Sequence, residues 1–405
     1  MWFGAAAQAT TLFVGPTFGS NTGCTSTGFT SVQAAVDAAA PGDTVYLCGT
    51  VPFAEQVIIT KVLTLTGDDG ATIQAPSPFP TTDLSKLPPQ FTTDDLFIPQ
   101  AIVIVWGAGA NATITNLIIT GPLPGNGGCA SQEFGVVVIA GAKVSLISDE
   151  ILNIADENSS LYGCQTGVGV LIGREYWPNA DYSNFLVVNF VGYGTMTGTE
   201  VSGYMKGGIV IDGPGSNAVV RGNKVTGSDR DTLFSPIVAQ NGIQVSRGAS
   251  AQVRDNTVSG NTYTGSAYAS SGGILIFGGC GDPLVTGVQV MGNTLTDNDV
   301  GIYLNNYDDT CSTASSVMTN NKAVNNTLSN GEITNVGSGV PFGFPYAGYQ
   351  AGIDDVGTND KVINNTIAGF GYTPAQTTGP GTYVIPIDTL TVPTNQAKVH
   401  ANKVQ

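Results

Sequence analysis

The sequence predicts an all-β solenoid, a parallel β-helix of stacked coils, and three observations carry that prediction. One phrase, asparagine followed by a small or basic residue and then an aliphatic one, returns six times. The copies are Asn223-Lys224-Val225, Asn256-Thr257-Val258, Asn293-Thr294-Leu295, Asn326-Thr327-Leu328, Asn365-Thr366-Ile367 and Asn402-Lys403-Val404, at intervals of 33, 37, 33, 39 and 37 residues. A near-constant period of this size marks one structural unit repeated with loops of varying length. A second phrase keeps step with it: Gly208-Ile209-Val210-Ile211, Gly242-Ile243-Gln244-Val245, Gly273-Ile274-Leu275-Ile276, Gly301-Ile302-Tyr303-Leu304 and Gly352-Ile353-Asp354-Asp355, with weaker copies at Gly135 and Gly169. Between the phrases stand Gly, Asn, Asp and Ser, which form turns, and no helical periodicity. Third, 54 glycines, 41% hydrophobic residues and only 11% charged residues suit coils that bury aliphatic stacks and turn on small residues.

Taken in order, Ala5-Ala6-Ala7-Gln8-Ala9 has the Ala-x-Ala pattern that closes a signal peptide. Residues 1–9 are therefore read as the remnant of a signal peptide or of an expression segment, and residues 10–405 as a single β-helix domain. Val32, Ala35, Val36 and Ala39 fall at helical spacing, giving a short helix with one apolar side. The run from Phe29 to Ala39, then Pro41-Gly42-Asp43-Thr44-Val45-Tyr46-Leu47, Glu55-Gln56-Val57-Ile58-Ile59 and Leu63-Thr64-Leu65-Thr66-Gly67, resembles the opening of secreted right-handed parallel β-helix proteins of the pectate-lyase-like superfamily. That resemblance implies a right-handed helix whose first segment caps the end of the core. It implies a fold more than a reaction, because this fold carries lyases, hydrolases, esterases, epimerases and inert scaffolds. Insertions are expected near 76–100, rich in Pro, Thr and Asp, and near 174–206, and the six recurring asparagines are expected to hold corners by stacking their amides.

The six cysteines paired in order, Cys24 with Cys48, Cys129 with Cys164 and Cys280 with Cys311, close spans of 24, 35 and 31 residues, each about one coil. Free buried thiols are the alternative. Disulfides fit a secreted or cell-surface protein. With one histidine and no Cys-x-x-Cys, zinc has little support. The net charge of −16 argues against nucleic acid and anionic membranes as partners, and no apolar run approaches membrane-spanning length. Five Arg and nine Lys are few for gripping a polyuronate, so a polysaccharide or cell-surface glycan that is neutral, or reached through Ca²⁺, fits better. Cofactor need is thus none, or Ca²⁺; the metal ligands and the oligomeric state are not legible.

Aliphatic positions are consumed by the core, so chemistry is expected on the outward ladder Leu171, Val210, Gln244, Leu275, Tyr303, Asp354 and just after it at Arg174, Asp212, Arg247, Asn305 and Asn306. Candidate catalytic carboxylates are Asp354, Asp355, Asp308, Asp309 and Asp212, as general acid and base, nucleophile or Ca²⁺ ligands. Asp355 stands where the phrase is otherwise aliphatic, and a buried carboxylate needs a reason. Candidate substrate-binding residues are Arg174, Arg247, Gln244, Tyr303, Asn305 and the aromatic pair Tyr176 and Trp177, which can stack on a pyranose ring or pack on a coil edge. Polygalacturonase-like hydrolases show Asn-x-Asp, Asp-Asp, Gly-His-Gly and Arg-x-Lys; only Asp308-Asp309 matches the second, and His400 lies in the last coil. The expectation is an extracellular glycan-directed protein, a polysaccharide hydrolase or lyase, with a non-catalytic structural, adhesin or self-assembling scaffold as the alternative.

Overall fold

The computed structural model describes residues 9–15, 24, 28–80, 100–124, 133–164, 166–176, 188–265, 269–335, 348–373, 382–389 and 397–405. Among these, strands fall into three long sheets. Sheet A has twelve, from Thr11–Val14 to Lys398–His400; sheet B has eleven, from Phe53–Ala54 to Lys403–Val404; sheet C has ten, from Val57–Ile59 to Thr382–Thr389. The chain visits A, B and C in turn, and strands within each sheet pair in parallel with their equivalents one coil away. The protein is a right-handed parallel β-helix. Every coil adds one rung to each sheet, so backbone groups inside the stack find partners along its axis.

The Gly-Ile phrases are the sheet C strands. Val136, Val170, Ile209, Ile243, Ile274, Ile302 and Ile353 are in register and wholly buried, forming one column of the core. The asparagine phrases are the corners from sheet A to sheet B. Each is preceded by one residue with positive φ, such as Gly222, Asp255, Gly292 or Asn325, and that residue makes the whole bend. The asparagine behind it donates its amide to a sheet A carbonyl and to the next asparagine's Oδ1. Asn256, for example, reaches the Val220 carbonyl at 2.9 Å and Asn293 Oδ1 at 2.9 Å. The ladder runs without a break from Asn223 to Asn402.

The helix Val32–Ala38 lays Val32, Ala35 and Val36 on the core. Ser31 caps it, and Glu55 accepts from Ser31 Oγ and from the backbone N–H of Val32 and Gln33, placing a carboxylate at the positive end. Gln33 closes the exposed edge of the first sheet C strand through both backbone groups of Ile58. Disulfides join Cys24 to Cys48 and Cys280 to Cys311. Cys164 is also disulfide-bonded, and Cys129 lies outside the described residues, as do residues 1–8 and 81–99 of the expected signal remnant and first insertion. In the second insertion an antiparallel hairpin joins Arg174–Tyr176 to Val188–Phe190, and from Gly192 the chain has rejoined the coil.

Candidate functional site

The corner from A to B is a single bend, whereas the connections into and out of sheet C are long, among them residues 227–240 and 307–321. Loops therefore rise on both sides of sheet C, and its outer face forms the floor between them. The outward ladder is in register as Leu171, Val210, Gln244, Leu275, Tyr303 and Asp354, and it continues to Asp388. Its character changes along the axis. In the early coils Ile58, Ile104, Val137, Leu171 and Val210 pack into a separate apolar cluster with Trp106 and Phe134, which removes Leu171 and Val210 from any polar groove. From Gln244 onward the face turns polar and aromatic, Leu275 excepted.

Asp354 is the centre of that stretch. Only 8% exposed, it is flanked in register by Tyr303 and Asp388, with Tyr307, Tyr349 and Asn305 around it. Burial and then the neighbouring Asp388 push its carboxyl up to about 7, against hydrogen bonds from Asn305 and Tyr349 that favour the ionised form. The Tyr349 hydroxyl donates to Asp388 Oδ2 at 3.2 Å, and its ring stacks on Tyr383 at 5.9 Å. A phenol carries one proton. Given to Asp388, it is not available to Asp354 at the same time, which weakens one of the two contacts that favour ionised Asp354. Burial and Asp354 raise Tyr303 well above its ordinary range, and the same two causes push Tyr307 up to about 12, so both phenols stay neutral. The Tyr303 ring lies against Gly272, where a Cβ would meet it at 3.1 Å, so the absent side chain gives the ring its seat.

Four rungs from Asp354, Asp212 is fully buried and held by Arg247, whose Nε donates to Oδ1 at 2.9 Å and whose Nη2 pairs with Oδ2. Ser246 also donates to Asp212, Gln244 donates to Ser246, and Asn241 to Gln244, a chain of amides and hydroxyls along the floor. Asp212 and Arg247 thus satisfy each other as a bidentate pair.

The other candidates lie elsewhere. Asp355 faces inward in the column of Leu304, wholly buried, with Oδ1 accepting from the Gly357 N–H. Burial and the neighbouring Asp360 push its carboxyl up to about 8, while Asp360 accepts from Thr319 Oγ1 and the Asn321 N–H. That carboxylate belongs to a corner, not to the floor. Asp308 caps its own loop: the Ser312 N–H and the hydroxyls of Thr310 and Thr313 hold it down at about 2, and Asp309 is exposed beside it. Asn305 shares the outward row with Asp212, while Asn306 is buried and accepts from the Val285 N–H. Arg174 and Tyr176 open the hairpin, and Trp177 lies outside the described residues. The described residues hold no group of three or more His, Cys, Asp or Glu placed to bind a metal.

Asp388, Tyr307 and Tyr349 are absent from the sequence-derived candidates. Asp388 had a signal: Ile387-Asp388 repeats Ile353-Asp354 one coil later, but Pro386 replaces the glycine by which the phrase is recognised.

The architecture thus defines a right-handed parallel β-helix bearing an acid–tyrosine cluster on one outer face. No protein-family model matches the sequence, and neither does any curated protein sequence. The chain is similar in fold to an alginate lyase from Paenibacillus sp., at 14% identity over 92% of this chain and 96% of that one, TM-score 0.42. It is similar also to a lacto-N-biosidase from Eubacterium ramulus, at 12% identity over 98% and 68%, TM-score 0.43, and to a polygalacturonase from Erwinia carotovora, at 12% identity over 98% and 96%, TM-score 0.37. At such identities the likeness concerns the course of the chain alone.

Proposed function

We propose that the protein is an extracellular glycan-directed enzyme that hydrolyses a glycosidic bond in a neutral glycan, with Asp354 as general acid and Asp388 as the second carboxylate. One observation carries this reading: a carboxyl pushed up to about 7 on the outer floor of the coil, one rung from a second carboxylate and walled by tyrosines. Such an acid keeps its proton near neutral pH and can give it to a leaving oxygen. Adjacent strands set the two backbones about 4.8 Å apart, nearer the short spacing of a double displacement than the wider gap that admits a water. In that sequence the Asp388 carboxylate attacks the anomeric carbon while Asp354 protonates the departing oxygen. Water then releases the sugar, with the Asp354 carboxylate taking its proton.

Tyr303, Tyr349 and Tyr383 supply ring surface for sugar faces, and Gln244, Asn241 and Asn305 supply hydroxyl-binding amides. Elimination is less well served, because a lyase acting on uronates must neutralise a carboxylate, and Arg247, a cation on this face, is paired with Asp212. The described disulfides support an oxidising destination, and no helix among the described residues is long and apolar enough to cross a membrane.

The test is release of reducing ends from a panel of neutral and acidic polysaccharides, with ultraviolet absorbance of unsaturated products followed in parallel. Wild type is expected to release reducing ends from a neutral glycan without that absorbance, and Asp354→Asn and Asp388→Asn to lose about 10²-fold or more in kcat. No release by wild type, unsaturated products, or full activity in either variant would each overturn the reading.

A further inference from the structure

At the corner leading into sheet C, Gln100, Glu133, Gln240, Asp299 and Gln350 stand in one column with Gly167, Lys206 and Ser271, and the later amides and acid of that column are hydrogen-bonded. Gln240 accepts from the Ser228 N–H and donates to the carbonyls of Tyr204 and Met205. Gln350 accepts from the Thr334 and Asn335 N–H groups and donates to the carbonyls of Glu332 and Gly371. Asp299 accepts from Tyr263, Ser271 and Thr334.

The first two members differ. Gln100, 8% exposed, and Glu133, fully buried, are in-register neighbours, and the Oε1 atoms of both have no hydrogen-bond partner. Each such oxygen is costly to bury unless something meets it. Thr166 Oγ1 lies 3.5 Å from Glu133 Oε2, and Asp156, 2% exposed, is hydrogen-bonded to the same carboxyl. Burial and then Asp156 push Glu133 up to about 9, and no cation contributes. Gln100 on the neighbouring rung, two carboxyl groups and a hydroxyl thus share this corner, with a formal charge of −2 when both acids are ionised and no cation among the described residues acting on Glu133.

We propose that this corner is a structural Ca²⁺ site with Gln100 Oε1, Glu133, Asp156 and Thr166 Oγ1 as ligands. The set is all oxygen, as hard cations require, and its burial favours Ca²⁺, which accepts protein oxygens in irregular numbers, over Mg²⁺, which holds its waters. The cation meets both orphaned oxygens and ties the second and third coils together near the capped end. The site is independent of the acid–tyrosine cluster, and its test needs no activity.

The full chain is titrated calorimetrically with CaCl₂ near pH 7, and its Tm is measured in CaCl₂ and in EDTA. Wild type is expected to bind one Ca²⁺ and to melt several degrees higher in CaCl₂ than in EDTA. Glu133→Gln keeps the size and shape of the side chain and removes its charge. It is expected to bind Ca²⁺ at least roughly tenfold more weakly. A wild-type Tm equal in both solutions with no heat of binding, or a Glu133→Gln variant that responds as wild type does, would overturn the site.

Discussion

Replacing Asn293 by alanine removes the middle of the corner ladder. Its Oδ1 accepts from the Asn256 N–H at 3.0 Å and from Asn256 Nδ2 at 2.9 Å; its Nδ2 donates to the Val253 carbonyl and to Asn326 Oδ1, both at 3.0 Å. All four bonds are buried, and no water can replace them without a cavity for it. At about 1 kcal/mol net per bond the direct loss is about 4 kcal/mol, and the Asn256 N–H, left without a partner, adds about 1–3 kcal/mol. The bond from the Asn293 N–H to Asn326 Oδ1 survives. Asn402, at the end of the ladder, is the internal control, because it is partly exposed and makes three side-chain bonds. Asn402→Ala is expected to cost about 1–2 kcal/mol, since water reaches the groups it leaves. Equilibrium urea unfolding followed by circular dichroism measures both. Because each coil contacts only its neighbours, Asn293→Ala is expected to split the transition as well as lower its midpoint. A cost below about 1 kcal/mol, or one no greater than that of Asn402→Ala, would refute the reasoning that buried amide stacking holds the register.

The remaining predictions concern protons and the cap. Burial raises the carboxyls of Glu133, Asp149, Asp299, Asp354 and Asp355 from their ordinary values near 4 to between about 7 and 9. Between these limits the folded chain binds more protons than the unfolded one, so stability is greatest near pH 4 and falls as pH rises toward 8; calorimetric Tm values rising with pH across that window would contradict the burial of these groups. Asp43 and Asp308 have lowered values and act in the opposite sense, losing their contribution only in stronger acid. Activity on a neutral glycan should decline above about pH 7 as Asp354 ionises, and this limb should vanish from the residual rate of Asp354→Asn; a limb that persists there assigns the acid elsewhere. Glu55→Ala strips three hydrogen bonds from the N-terminus of the cap helix and should cost about 2–3 kcal/mol, read as a lower midpoint in urea; an unchanged midpoint would mean the cap adds nothing to the stack.

The repeating phrases were sufficient for the architecture because a solenoid is local: each rung needs only the rung beside it, so period, glycine corners and aliphatic columns are all written in sequence. The asparagine corners and the cap helix were legible for the same reason, and so was the register that aligns Tyr303 with Asp354. Which outward positions form a site was not. Leu171 and Val210 share the ladder of Asp354, yet they are buried in an apolar cluster that period alone cannot foresee. Asp354 and Asp355 are adjacent in sequence and leave the strand on opposite faces, so one joins the tyrosines while the other shares a corner with Asp360.

Sequence by itself determined the coil, its period and the faces on which residues fall, since these follow from alternation along a strand and repetition between strands. Tertiary structure alone decided that Asp388, Tyr349 and Tyr307 stand around Asp354, and that Gln100 and Glu133 share a buried corner. Those meetings depend on how far each loop carries the chain between rungs and on how much water burial removes from a carboxyl. Neither quantity is set by the identity of the residue that bears it.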